Sequence, residues 1–225
     1  MTTGRLSSRR GVLRATLAAL GFVTVSIVGI GALHMPWGRP LLMQIGGCPI
    51  ETDPLAIERA QRDGALARRG EVPAPTRIAH GFRLGQDGPA DVEAWARARG
   101  GECESQREGL WLSCTGVAGS SVGMLGALGR VDFVFRSRDQ RLVSVSAYQE
   151  APERSSSAAS FETAAAALRA AFGEPTFRGG EPRATQAYAT ATLAYRYEDV
   201  VIDLTTTQLP SRGSTVLESI VLATD

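Results

Sequence analysis

The chain contains no lysine and no asparagine, and all 24 of its basic residues are arginine. Without lysine there is no Walker A phosphate loop and no Schiff-base nucleophile. Without asparagine there is no N-glycosylation sequon. Histidine is scarce, with two residues, His34 and His80, and there are three cysteines. None of these falls into C-x-x-C or H-x-x-x-H spacing, so no zinc pattern is present and no metal or other cofactor is expected. The formal net charge of +1 leaves no global field to attract nucleic acid, so none is expected as a partner.

What is present begins with an uncharged run from Ala15 to Leu33. A bilayer core takes about 20 apolar residues as a helix, so the run is just long enough to span. Arg5, Arg9, Arg10 and Arg14 precede it, and only His34 and Arg39 follow closely. The positive-inside rule places the N-terminus in the cytoplasm and residue 36 onward outside, as a single-pass protein of the cell inner membrane with its domain in the periplasm. Membrane lipid is then the first expected partner. Ser8 to Arg14 resembles the twin-arginine export signal, with Val12 and Arg14 in place of that pattern's Phe and Lys. Ile45-Gly46-Gly47-Cys48 resembles a lipobox, which makes Cys48 the candidate lipid acceptor of a cleaved periplasmic form. The stretch from His34 to Pro40 separates that cysteine from the apolar run, which favours an uncleaved anchor.

Cys103 and Cys114 carry a geometric expectation. If Glu108-Gly109 is a two-residue hairpin turn, Arg107 faces Leu110, Ser105 faces Leu112 and Cys103 faces Cys114. Directly opposed residues of an antiparallel pair lie about 4.5–5.5 Å apart at Cα, within disulfide reach. An oxidising compartment permits that bond. The alternative is a pair of reduced thiols in the core.

The chain divides into an N-terminal segment (1–35), a juxtamembrane linker (36–76) and an α+β domain (77–225). Asp53-Pro54 reads as an N-cap and first helical residue, which places a helix within the linker over 54–69, stopped by Gly70. The domain carries one pattern twice, in units 82–148 and 155–225. In the first, Gly88-Pro89 opens a short helix with Val92, Trp95 and Ala96 as its apolar stripe, and Gly100-Gly101 closes it. The Cys103–Cys114 hairpin follows, then a glycine-rich loop over 116–129, a strand through Val131, Phe133 and Phe135, and a strand through Val143, Val145 and Ala147. In the second, Phe161, Ala165, Leu168 and Phe172 lie on one helical face, with Gly173 and Pro175 ending the helix. Leu193, Tyr195 and Tyr197 then alternate, as do Val200, Ile202 and Leu204, and a last strand runs from Val216 to Ala223. Period-2 alternation predicts an antiparallel sheet with one buried face, covered by the helices.

Two short motifs carry a family resemblance. Leu84-Gly85 followed by Val92 resembles the glycine-to-valine helix entry of the small outer-membrane-assembly lipoproteins, and Phe172-Gly173-Glu174-Pro175 resembles their L-G-x-P helix exit. The order of elements, used twice, also resembles the secreted β-lactamase-inhibitor proteins that hold two such units. The first unit departs from the pattern, with Arg99-Gly100-Gly101-Glu102 at its helix exit. The resemblance implies a non-enzymatic, protein-binding module with an envelope protein as partner.

No catalytic residue is assigned. Gly119-Ser120-Ser121-Val122-Gly123 fits G-x-S-x-G, but a nucleophile elbow needs a strand-to-helix turn with an Asp and then a His later in the chain. No His follows residue 80. His80, beside Gly81, has no partner nearby in sequence. The carboxylates Asp87, Asp91, Glu93, Glu102 and Glu104 are the residues an enzyme of unknown type would use. Their placement at a helix start and on one strand fits capping and a solvated edge equally. Trp111, on the strand face opposite the cysteines, is an interface anchor if that face is open and a core residue if a helix covers it. Trp95 and Phe82 are the other candidate interface aromatics. The expectation is an exported, membrane-anchored binding module, with an enzyme as the alternative.

Overall fold

The computed structural model describes residues 54–151, 154–182, 189–209 and 213–224. The apolar run 15–33, the twin-arginine-like motif and Cys48 lie outside the described residues. Among the described residues, no helix is long and apolar enough to cross a membrane.

Helix α1 (Pro54–Leu66) is followed by a small hairpin, β1 (Ile78–Ala79) and β2 (Phe82–Arg83). Helix α2 (Pro89–Arg97) leads into β3 (Glu102–Gln106), β4 (Trp111–Thr115), β5 (Arg130–Phe135) and β6 (Leu142–Ala151). Helix α3 (Arg154–Phe172) leads into β7 (Phe177–Gly179), β8 (Thr190–Arg196), β9 (Val200–Leu209) and β10 (Gly213–Leu222). The fold is α+β. All eight long-sheet strands are antiparallel, in the order β3-β4-β5-β6-β10-β9-β8-β7. The chain thus runs helix then four strands, twice, and the last strand of each run meets its counterpart at the sheet centre. An antiparallel β6–β10 seam joins the two runs into one sheet with only two edges, β3 and β7, and both edge strands are short, which limits unwanted pairing.

Alternation decides which side chains are buried. Leu112, Phe133, Val145, Ile220, Ile202 and Tyr195 form one row across six strands, all on the face covered by α2 and α3, and all nearly inaccessible. The α3 face expected from spacing is the one used: Phe161, Ala165, Leu168 and Phe172 are buried, and Ala164 joins them. Helix α2 buries Val92 and Ala96, and the Asp91 carboxylate accepts the Gly88 N–H at 2.8 Å, capping its start. Phe82, Trp95 and Phe133 form an aromatic trio with centroids 5.1–5.6 Å apart, which locks the β1–β2 hairpin and α2 onto the sheet.

The hairpin register is the expected one. Cys103 pairs with Cys114, and Ser105 with Leu112. The turn supplies the physical reason. Glu108 (φ 59, ψ 30) and Gly109 (φ 87) both adopt positive φ, and Leu110 N–H bonds to Arg107 O at 3.1 Å. Arg107 (φ 53) is left-handed as well and pairing stops at Gln106 and Trp111, so the loop has the four residues 107–110 rather than the expected two, still centred on Glu108-Gly109, and the register is kept. The sulfurs of Cys103 and Cys114 lie at bonding distance, with Cα atoms 4.0 Å apart. Closing so short a loop is worth about 2–3 kcal/mol. Reduction, or replacement of both cysteines by serine, is therefore expected to lower stability by about that amount in urea unfolding. An unchanged midpoint under reductant would show that the bond does not form in solution.

Helix α1 ends at Leu66, short of the expected Arg69, because the chain turns onto the domain. Its Ala65 is its one fully buried apolar residue, packed with Val201 and Ala223, whereas Leu55 is half exposed. Residues 67–69, expected as helix, and 70–76, expected as linker, are tied down bond by bond. Arg68 pairs with Asp203, Gly70 N–H donates to Tyr197 O at 2.9 Å, and Glu198 N–H donates to Val72 O at 2.8 Å. A Cβ at position 70 would lie 2.1 Å from Arg196 O, so this approach admits only glycine.

Asp199 completes the strap. Its carboxylate accepts the Ala74 N–H at 2.7 Å and pairs with Arg77. Burial opposes its charge, but these partners win and hold the carboxyl below the ordinary carboxylate range. A folded value below the unfolded one, about 3.9, means the stabilisation is full above about pH 5 and is lost as pH falls through the folded value. Asp199→Asn is expected to lower the unfolding midpoint at pH 7, and the gap to the native chain should shrink on acidification. A gap that stays constant down to pH 3 would contradict this assignment.

Candidate functional site

Two regions present chemistry. The first is the sheet face opposite α2 and α3. Arg130, Tyr148, Leu217, Thr205 and Thr192 form one row across it, and Ser113, Asp132, Ser146, Ser219 and Asp203 form the next. Leu217 is 43% exposed, and Tyr148 and Trp111 are partly exposed. Among the described residues, helix α1 alone covers this face, at one end, over Val201 and Val221. Side chains here are held in place. Arg107 stacks 4.6 Å from the Trp111 ring, Arg130 lies 5.6 Å from the Tyr148 ring, and Tyr148 donates to Glu150 at 2.9 Å. Trp111 is half-buried at the β4 end of the row Val134, Ser144, Val221 and Val201, whose far end α1 covers. Trp95 and Phe82 belong to the core: Phe82 is 3% exposed, and Trp95 is packed between it and Phe133.

The second region is a cavity on the helix side, which the sequence did not reveal. The β1–β2 hairpin turns at His80-Gly81 with positive φ at both residues, and this aims His80 into the seam between α3 and the sheet. There His80 Nε2 lies 2.7 Å from Glu218 Oε1, a residue 138 positions away in sequence by subtraction. Glu218 is 1% exposed. It occupies the row that runs Cys103, Cys114, Val131, Ala147, Glu218, Leu204, Leu193, so a carboxylate stands where its neighbours are apolar. Despite their closeness, neither His80 Nε2 nor Glu218 Oε1 makes a well-formed hydrogen bond among the described residues. The cavity has a volume of about 220 Å³. Leu168, Phe172, Val122 and Ile220 supply its apolar walls. A signal for Glu218 was legible: in Val216-Leu217-Glu218-Ser219-Ile220, period 2 puts the glutamate on the buried face. No local signal connects it with His80.

Ser121 also lines this cavity, so the fold returns the earlier histidine to the G-x-S-x-G loop. The loop is a 3-10 turn over Gly119–Val122, flanked by antiparallel strands, and no hydrogen bond joins Ser121 to His80. The nucleophile–base contact that acyl transfer needs is missing. The other carboxylates have structural tasks. Asp87 accepts Arg83 N–H at 2.8 Å and pairs with the Arg83 guanidinium, while Asp91 caps α2. Glu102 and Glu104 lie exposed on edge strand β3. Among the described residues, no three His, Cys, Asp or Glu side chains gather as a metal site.

The loop over 116–129 is held by Gln149, whose amide donates to the carbonyls of Leu125 and Ala127. Nearby on the same sheet face, Gln208 and Ser214 are buried opposite one another, and among the described residues their side chains have no hydrogen-bonding partner. Comparison with protein-family models, with curated proteins and with solved structures finds no match to the chain.

Proposed function

We propose that the chain is a membrane-anchored, exported binding module: its N-terminal segment sits in the inner membrane and its α+β domain, in the periplasm, docks an envelope protein on the open sheet face. One observation carries this reading. Among the described residues, the face opposite α2 and α3 is uncovered beyond α1 and carries Tyr148 and Leu217 among serines and threonines, with the half-buried Trp111 in the neighbouring valine row. Rigid, partly exposed aromatics ringed by small polar groups are what a protein interface uses as anchors. Arg107 and Arg130 stack on the two rings and pre-order them, which lowers the entropy cost of docking. The setting rests on the uncharged run 15–33 behind its arginines, and on a cysteine pair suited to an oxidising space. The weak resemblance to tandem protein-binding modules points the same way.

The test is site-specific photo-crosslinking of the full chain in intact cells. A crosslinker at Leu217 is expected to give one protein-sized adduct, and Trp111→Ala combined with Tyr148→Ala should reduce it at least tenfold. A crosslinker at Ala166, exposed on α3, serves as control. Equal adducts from both positions, or none from Leu217, would end the sheet-face reading.

A further inference from the structure

We infer that the cavity beneath the β1–β2 hairpin is a binding site for a small ligand with a primary ammonium head and an apolar body. The argument is independent of the sheet face. Burying a carboxylate without a hydrogen bond is costly, and native folds keep such groups only where something satisfies them. Glu218 is 1% exposed, and among the described residues its Oε1 lacks a hydrogen-bonding partner although His80 is 2.7 Å away. The group lies at the wall of a cavity rather than in close-packed interior, so an incoming donor can reach it.

The lining decides the ligand's charge. An ionised carboxylate only accepts hydrogen bonds. Among the described residues, no arginine lines the cavity. An anionic head would meet Glu218 with no guanidinium to offset it. An ammonium head, with three donors, can satisfy Glu218 and replace the imidazole contact. The walls fix the body: Val122, Leu168, Phe172 and Ile220 offer apolar surface only. Size follows from volume. A cavity of about 150 Å³ accommodates benzene, so one of about 220 Å³ takes somewhat more, on the order of seven to nine non-hydrogen atoms. A six-carbon primary amine falls in that range.

The experiment titrates the full-length chain, held in lipid nanodiscs and methyl-labelled at isoleucine, with n-hexylammonium, 1-hexanol and hexanoate at pH 7. Empty nanodiscs correct for partitioning of each probe. Saturable shifts of the Ile220 methyl are expected for hexylammonium, at least tenfold tighter than for hexanol or hexanoate. Glu218→Gln, which keeps the shape, should bring hexylammonium down to the level of hexanol. Ala171→Leu, at the exposed cavity mouth on α3, should weaken all probes together while leaving the carboxylate in place. Folding of each variant is checked by its circular dichroism melt. No saturable Ile220 shift with any probe, equal affinity for all three, or an ammonium preference that survives Glu218→Gln would each overturn the assignment.

Discussion

His80→Ala is expected to destabilise the domain by about 3–5 kcal/mol, the usual cost of removing the close partner of a buried carboxylate. Glu218 is the reason. It is 1% exposed, in the middle of an apolar sheet face, and His80 is its only polar neighbour within ion-pair distance among the described residues. Adding Glu218→Met to His80→Ala should recover most of that loss, because a side chain of similar size without charge suits the row of Ala147 and Leu204. Holding residue 80 constant between the two variants cancels any effect of its positive φ. Urea unfolding of the three chains gives both differences. A loss under 1 kcal/mol for the single variant, or no recovery in the double, would show that the carboxylate is satisfied by some other route.

Phe133→Ala is expected to cost about 3–5 kcal/mol as well, through a different mechanism. Phe133 is fully buried at the centre of the aromatic trio, edge-on to both Phe82 and Trp95. Those partners come from the hairpin and α2, so a cavity there loosens three elements at once. At about 2–4 °C per kcal/mol for a domain of this size, the melting point should fall by about 6–20 °C. Leu217→Ala is the matched contrast. Leu217 is 43% exposed on the open face, and its truncation should stay within about 0.5 kcal/mol. Comparable losses from both variants would mean that Leu217 is covered in solution.

The local features were legible because their causes are local. The α3 face follows from helical spacing in one window of sequence, and Phe161, Ala165, Leu168 and Phe172 are buried as that spacing requires. The Cys103–Cys114 register follows from one short turn centred on Glu108-Gly109, since a tight loop, here residues 107–110, leaves the two strands little freedom to slip. The strap over 70–77 was not legible. Pro73 and Pro75 read as linker, and nothing nearby announces Asp199, Glu198 and Tyr197 as the groups that hold it.

By itself, the sequence determined the class, α+β with an antiparallel sheet, the helix faces and the hairpin register. Periodicity and turn chemistry act over a few residues and are written wherever those residues stand. The tertiary structure alone decided that β6 and β10 pair at the centre, that Trp111 is partly exposed while Phe82 is buried, and that His80 meets Glu218. Each of these depends on which distant surfaces bury one another. That choice is a sum of apolar contacts over the whole chain, and no short stretch of residues encodes it.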